Sequence, residues 1–181
     1  MELIDVKRVS IQKGSIIGTT QKQGGKFKAE PSVAELLKLE EERKLASPET
    51  IGSFATKLEA IRRRTASLIA EWKRRDAAIA GFGAARSGPT LMAQFGLERI
   101  IQYIFDDHPQ KVGKFSPPTG IPVIPTAEIY RRKPDVVVIL AWIHTKKIIQ
   151  GHRRFLEEGG RFVLLCPDLA IIDAASPLPE L

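Results

Sequence analysis

The spacing of apolar positions changes along the first part of the chain. Apolar residues alternate weakly over residues 1–22, on either side of the turn-forming Gln12-Lys13-Gly14, which predicts two short strands in a β-hairpin. Residues 23–75 are predicted to hold a polar linker and two helices, of which the second is long and begins at Ser47, its N-cap. Apolar residues recur every three or four positions along this second helix, so one face of it is expected to be buried.

Strand and helix patterns then alternate over residues 76–172. Apolar runs of strand length occur at residues 77–82, 100–105, 121–124, 135–141 and 161–166. Helical patterns lie between them at residues 87–95, 126–132 and 145–158. Such alternation implies parallel strands joined by right-handed crossovers. The predicted fold class is therefore α/β: a Rossmann-like parallel sheet with flanking helices, preceded by the long helix and the N-terminal β-hairpin, and followed by a tail at residues 173–181.

Composition narrows the class of protein. Hydrophobic residues make up 43% and charged residues 27% of the 181 residues, which is typical of a globular protein and excludes wholesale disorder. No apolar run approaches the roughly 18 residues that span a bilayer, and the N-terminus lacks the pattern of a signal peptide. We therefore expect a cytoplasmic protein without a membrane partner. With only Cys166 and three histidines, we predict no internal disulfide and no metal site.

The chain is basic, with a formal net charge of +7. Such a surplus attracts nucleic acid, anionic membranes or phosphorylated small molecules. The basic clusters follow or interrupt amphipathic segments and are not interleaved with aromatic residues, so we interpret them as solvated helix faces. They are Arg62-Arg63-Arg64, Lys73-Arg74-Arg75, Arg131-Arg132-Lys133 and Arg153-Arg154. We expect no nucleic-acid partner.

A glycine turn between the first strand and helix of the alternating region is the strongest candidate for a binding site. Gly81 and Gly83 match the first two glycines of G-x-G-x-x-G, whereas Arg86 stands at the third position. A turn of this kind brings backbone N–H groups at a helix N-terminus close to a phosphate. Arg86, Ser87 and Thr90 would add a charge and two hydroxyls. The alternative is a tight strand-to-helix turn that binds nothing.

Further candidates follow the second strand. Asp106 stands near the position where an acidic side chain meets a ribose hydroxyl, although an aspartate before Pro109 is also a common turn-former. Lys111 and Lys114 in the next loop are either phosphate ligands or ordinary solvated lysines.

No set of residues in the chain has a convincing catalytic arrangement. His108 lies in a predicted turn and His152 is expected to face solvent, while His144 follows a strand end and is the best candidate for a general base. Cys166 is predicted to lie inside an apolar strand, so it forms no Cys/His pair. We predict no catalytic residue in this chain.

Several segments carry a family resemblance. The loop D-x-x-P-x-K-x-G from Asp106 to Gly113 and the strand end Leu140-Ala-Trp142 occur in order and at a characteristic spacing. The resembling segments are Gly81–Leu91, Phe105–Pro117, Ile121–Pro125, Lys133–Trp142 and His152–Val163. Together they resemble the C-terminal domain of the C-methyltransferases that depend on S-adenosylmethionine (SAM), a family that includes enzymes acting on nucleotide-linked deoxysugars.

The resemblance implies a function for the domain. In that family the C-terminal domain is not the SAM site; it packs on a methyltransferase core and helps to hold the nucleotide part of the substrate. The hairpin at residues 1–22 resembles the last strands of that core, so we expect the chain to begin late in it. The implied partners are a methyltransferase core, in cis or in trans, and a nucleotide-linked small molecule; SAM is expected for the full-length enzyme and no cofactor for this chain. The residues carried over as substrate-binding candidates are Gly81, Gly83, Ala84, Ser87, Thr90, Asp106, Lys111 and Trp142, to which the charge argument adds Arg86.

Three hypotheses follow from the sequence. The leading one is a substrate-binding, non-catalytic C-terminal domain of a SAM-dependent C-methyltransferase. The alternative is a stand-alone Rossmann-like binding or scaffold module without methyltransferase activity. The third, weaker hypothesis is a small NAD-type oxidoreductase domain.

Overall fold

A computed structural model describes residues 1–179 of the chain. The chain divides into two compact units, one ending at Leu58 and one beginning at Glu59. Among the described residues, no helix is both long enough and apolar enough to cross a membrane.

The N-terminal unit contains the predicted hairpin. Strands β1 (Glu2–Val9) and β2 (Ser15–Gln21) pair antiparallel, and a short 3-10 turn at Ile11–Lys13 joins them. Helix α1 (Pro31–Glu42) is tied to β1 through one side chain. The hydroxyl of Ser32 accepts a hydrogen bond from the N–H of Val6 at 3.1 Å and donates one to the carboxylate of Asp5 at 2.8 Å.

The long helix α2 (Pro48–Arg74) begins where the sequence predicts. The hydroxyl of Ser47 accepts a hydrogen bond from the N–H of Thr50 at 3.2 Å, which satisfies one of the free donors of the first turn. The basic residues Lys73 and Arg74 occupy the last turn, where their positive charges interact favourably with the negative end of the helix dipole. The buried residues of this helix recur at helical spacing and are Ile61, Thr65 and Trp72.

The second unit is built on a seven-stranded sheet. Its strands are β3 (Ile79–Phe82), β4 (Ile104–Phe105), β5 (Phe115–Ser116), β6 (Ile121–Ile124), β7 (Val136–Ile139), β8 (Arg161–Leu164) and β9 (Ala170–Ile172). The spatial order is β5-β6-β4-β3-β7-β8-β9. The five central strands are parallel to one another, whereas β5 and β9 pair antiparallel at the two edges. The predicted α/β class with a mostly parallel sheet is confirmed.

Helices connect the strands of this sheet. They are α3 (Gly88–Phe95), α4 (Glu128–Arg132), α5 (Thr145–Gly151) and α6 (Arg153–Glu157). The prediction of one helix over residues 145–158 is wrong, because the backbone leaves the helical conformation at His152, with φ −123° and ψ 33°. Gly151 stands directly before this break, and glycine is a weak helix former.

The continuous apolar runs form the strands at the centre of the sheet. Every residue of β3 and of β7 is buried, as expected for strands that are covered on both faces. One face of the sheet carries a large apolar cluster that includes Phe82, Phe105, Ile139 and Phe162. Among the described residues, no buried side-chain nitrogen or oxygen lacks a hydrogen-bond partner.

The strand order places a topological switch point between β3 and β7. From β3 the chain adds β4 and β6 on one side, and then adds β7 and β8 on the other. The loops that leave the carboxyl ends of β3 and β7 therefore diverge. In open α/β sheets this topological switch point is where ligands bind.

Candidate functional site

The glycine turn after β3 packs against the residues that follow β7. Gly83 has a φ of +88°, and a Cβ built there would lie 2.4 Å from the Cβ of Ala141. A Cβ at Gly81 would lie 2.8 Å from Cδ1 of Leu140. Carbon atoms pack best at about 3.5–4.0 Å. Packing within the protein therefore requires glycine at position 83, whereas a methyl group at position 81 would have to displace the end of the Leu140 side chain.

The carboxylate of Asp106 forms hydrogen bonds with both the glycine turn and the loop that follows β4. Its Oδ2 accepts hydrogen bonds from the N–H of Ala84 at 2.8 Å and from the ammonium group of Lys111 at 3.2 Å, and its Oδ1 accepts one from the N–H of His108 at 2.8 Å. Burial opposes ionisation, but these donors outweigh it, so the pKa of Asp106 lies below its ordinary value. Asp106 therefore joins the glycine turn to the following loop as an ionised group.

Other backbone donors of the turn are also used within the protein. The N–H of Ala85 donates to the carbonyl of Gly83 at 2.7 Å, the N–H of Gly88 donates to the carbonyl of Ala85 at 2.9 Å, and Pro89 has no N–H. A dinucleotide-binding turn instead presents such groups to a pyrophosphate. The turn therefore differs in its hydrogen bonding from a standard dinucleotide site.

A cleft of about 360 Å³ opens beside this turn on the side of β4 and β5, and none of the residues described after β7 lines it. One wall comes from the turn and the start of α3, and the other comes from the loop after β4 together with β5. Residues of the first wall include Ala84, Arg86 and Pro89, and those of the second include Lys111, Lys114 and Phe115. Small-molecule sites commonly measure about 300–1,000 Å³. The cleft is therefore large enough to hold a substantial part of a small molecule.

The cleft has a surplus of positive charge. Arg86 and Lys114 are exposed, and neither side chain has a hydrogen bond or ion pair with any residue that the structure describes. Lys111 differs, because its ammonium group is paired with Asp106. No aspartate or glutamate is found among the lining residues. Two uncompensated cations therefore remain for an anionic ligand.

The structure brings only some of the predicted site residues to the cleft. Ala84, Arg86 and Lys111 line it, and Gly81 and Gly83 shape the turn that carries Ala84.

Four other predicted residues lie outside the lining: Asp106, which bonds to the turn as described above, and Ser87, Thr90 and Trp142. The hydroxyl of Ser87 donates to the carbonyl of Leu140 at 3.2 Å, which ties the start of α3 to the residues after β7. Thr90 is exposed on α3. Trp142 is half-buried in a 3-10 turn, Trp142–His144, that follows β7.

Phe115 lines the cleft, but the sequence analysis does not predict it as a site residue. It belongs to β5, whose two residues are too few to produce a strand pattern. An aromatic residue directly after Lys114, in a loop with two lysines, was the available signal. The antiparallel pairing of Phe115 with Pro122 of β6 places it beside the basic residues.

His152 does not face solvent as predicted. It is half-buried at the break between α5 and α6, with its ring 5.0 Å from the ring of Phe82, centroid to centroid, and its Nδ1 3.2 Å from the hydroxyl oxygen of Tyr130. Burial lowers the pKa of His152, and the charge of Asp107 partly opposes this effect. The contacts indicate a neutral imidazole that packs between the sheet and α4.

Cys166 has no feature of a reactive thiol. The strand predicted over residues 161–166 ends at Leu164, so Cys166 lies beyond it and is half-buried. Burial raises the pKa of the thiol, and the charge of Asp168 raises it further. Within residues 1–179, no group of three or more His, Cys, Asp or Glu side chains is placed to hold a metal ion.

Comparison with known proteins places the chain in a family. A family model described as "C-methyltransferase C-terminal domain" matches residues 10–167. The chain is also 30% identical over 179 residues to "C-methyltransferase NovU" of Streptomyces niveus. That alignment covers 98% of this chain but 43% of the relative, so the chain spans less than half the length of that protein. Since the family model spans most of the chain, including the glycine turn and the cleft, the chain belongs to the C-methyltransferase C-terminal domain family.

Proposed function

We propose that this chain is the substrate-binding domain of a SAM-dependent C-methyltransferase. Its cleft receives the nucleoside diphosphate part of a nucleotide-linked sugar. The observation that carries this proposal is the pair of cations, Arg86 and Lys114, that line a cleft with no acidic residue in its lining. A diphosphate is the part of such a substrate that two uncompensated cations attract most strongly.

The two cations suit a diphosphate in different ways. The guanidinium group of Arg86 offers a planar fork of donors that matches two phosphate oxygens, whereas Lys114 supplies a compact charge. Lys111 acts indirectly in this proposal. Its ion pair with Asp106 holds the loop after β4 against the glycine turn and so shapes the cleft.

SAM and the transferred methyl group belong to a methyltransferase core, in cis or in trans. SAM supplies an electrophilic methyl group to the acceptor carbon of the substrate. The glycine turn of this chain departs from a nucleotide-binding turn, because the N–H groups of Ala84, Ala85 and Gly88 all donate within the protein. The chain contributes substrate binding and no catalytic group.

Calorimetric titration of the 181-residue chain tests this function. We expect thymidine or uridine diphosphate to bind, and SAM and NAD not to bind. Arg86→Ala should weaken diphosphate binding about tenfold, because a hydrogen bond to a charged group contributes about 1.5–3 kcal/mol and this residue is exposed. Arg99→Ala is the matched control, since Arg99 is also exposed but does not line the cleft. Tight binding of SAM without binding of the diphosphates would overturn the proposal.

The second candidate function is a stand-alone binding or scaffold module. The hydrogen bonding of the glycine turn favours it, because the N–H groups of Ala84, Ala85 and Gly88 have partners within the protein and need no phosphate. This candidate predicts a folded chain that binds neither diphosphate. The same titration therefore separates the two functions.

A further inference from the structure

Phe115 is the most exposed large apolar residue described in the second unit. Its exposed fraction is 67%, whereas the next most exposed large apolar side chain described in the second unit, Ile171, reaches 44%. No aromatic or cationic side chain that the structure describes contacts the ring. At the edge of a cleft this ring offers a large apolar surface, and a ligand that covered it would gain the free energy of removing that surface from water.

The backbone holds Phe115 in a defined place. The N–H of Gly113 donates to the carbonyl of Val123 at 2.9 Å, and the N–H of Val123 donates to the carbonyl of Lys114 at 2.8 Å. The next residue, Ser116, is buried. The ring is therefore presented by a hydrogen-bonded segment rather than by a loose loop, which lowers the entropy cost of ligand binding.

The surroundings of the ring match one kind of ligand. Phe115 shares the cleft with two unpaired cations, Lys114 before it in sequence and Arg86 on the opposite wall. A flat apolar surface beside two positive charges is complementary to an aromatic base joined to a diphosphate. A sugar phosphate without a base would leave the ring uncovered.

We infer that Phe115 is the base-stacking residue of the cleft, on which the nucleobase lies while Arg86 and Lys114 hold the diphosphate. This inference rests on the proposed function and extends it, because it gives the ligand an orientation: the base lies toward β5 and the phosphates lie between the two walls. Recognition of the base then depends on an aromatic surface at position 115.

Calorimetry with two ligands and three variants tests this assignment. Base stacking on an aromatic side chain contributes about 1–3 kcal/mol. Phe115→Ala should therefore weaken binding of thymidine diphosphate about tenfold, and binding of inorganic pyrophosphate by less than about twofold. Phe115→Tyr should retain the wild-type affinity for both. Phe54→Ala is the matched control, because Phe54 is 68% exposed and belongs to the N-terminal unit.

The outcomes separate this inference from the proposed function. If wild-type chain binds thymidine diphosphate and Phe115→Ala binds it equally well, the stacking role is overturned and the proposed function stands. Equal weakening of both ligands also overturns the stacking role, because it shows a disturbed cleft rather than a lost base contact. If neither ligand binds the wild-type chain, the proposed function fails and the stacking role fails with it.

Discussion

Replacing Gly83 with alanine tests whether packing within the protein shapes the glycine turn. The residue has a φ of +88°, and its added Cβ would lie 2.4 Å from the Cβ and 3.2 Å from the backbone nitrogen of Ala141. Ala141 cannot move away freely, because its own N–H donates to the carbonyl of Phe82 at 3.2 Å. Backbone conformation and lack of space therefore both oppose the new methyl group.

The expected loss of stability combines these two effects with one term that offsets them. A left-handed conformation costs an L-residue about 1–2 kcal/mol. Overpacking in a close-packed region costs about 1–3 kcal/mol. The lower entropy of the unfolded alanine chain offsets about 0.4–1 kcal/mol of this. We therefore expect Gly83→Ala to lower the free energy of unfolding by about 2–4 kcal/mol.

Urea unfolding followed by tryptophan fluorescence measures this loss, since both tryptophans, Trp72 and Trp142, lie in the second unit. Gly96→Ala is the matched control. Gly96 has a φ of +69° but open space around the added Cβ, so its loss should be limited to about 1 kcal/mol. If the two variants lose the same stability, the contact with Ala141 does not constrain the turn.

Two further predictions concern ionisable groups. Because the pKa of Asp106 in the folded chain lies below its unfolded value of about 3.9, its charge stabilises the fold above that pH, and this contribution is lost as the pH falls through the folded pKa. Asp106→Asn should therefore have a lower urea midpoint than wild type at pH 7 and a smaller deficit near pH 3; equal deficits would contradict this. The ring of His152 should titrate by NMR below its ordinary pKa of about 6.5, and lower still in Asp107→Asn, because the Asp107 charge opposes the effect of burial. A midpoint above 6.5 would show that burial does not dominate.

Local patterns predicted the central elements of the fold. The turn at Gln12–Gly14, the N-cap at Ser47 and the apolar runs of β3 and β7 each depend on residues close together in the sequence. Turn conformation, helix capping and the period of apolar residues each depend on a few neighbouring residues. A local sequence pattern is therefore enough to predict them.

Elements that depend on a distant partner escaped prediction. Strands β5 and β9 have two and three residues, and pairing with β6 and β8 makes them strands. The break at His152 has a local contribution from Gly151, and the contacts of the His152 side chain with Phe82 and Tyr130 add a tertiary one. The short edge strands and these contacts depend on partners that lie far away in the sequence.

The candidate site also combines features that local sequence predicts with features that depend on distant partners. The order of strand, glycine turn and helix can be read from the sequence, as can the presence of Arg86, Asp106 and Lys111 near two strand ends. The bonds of Asp106 to Ala84 and Lys111 depend on the folded arrangement, and they leave Arg86 and Lys114 as the unpaired cations beside Phe115. The physical reason is that parallel strands bring together loops that are far apart in the chain, and only their meeting decides which charges neutralise each other and which remain for a ligand.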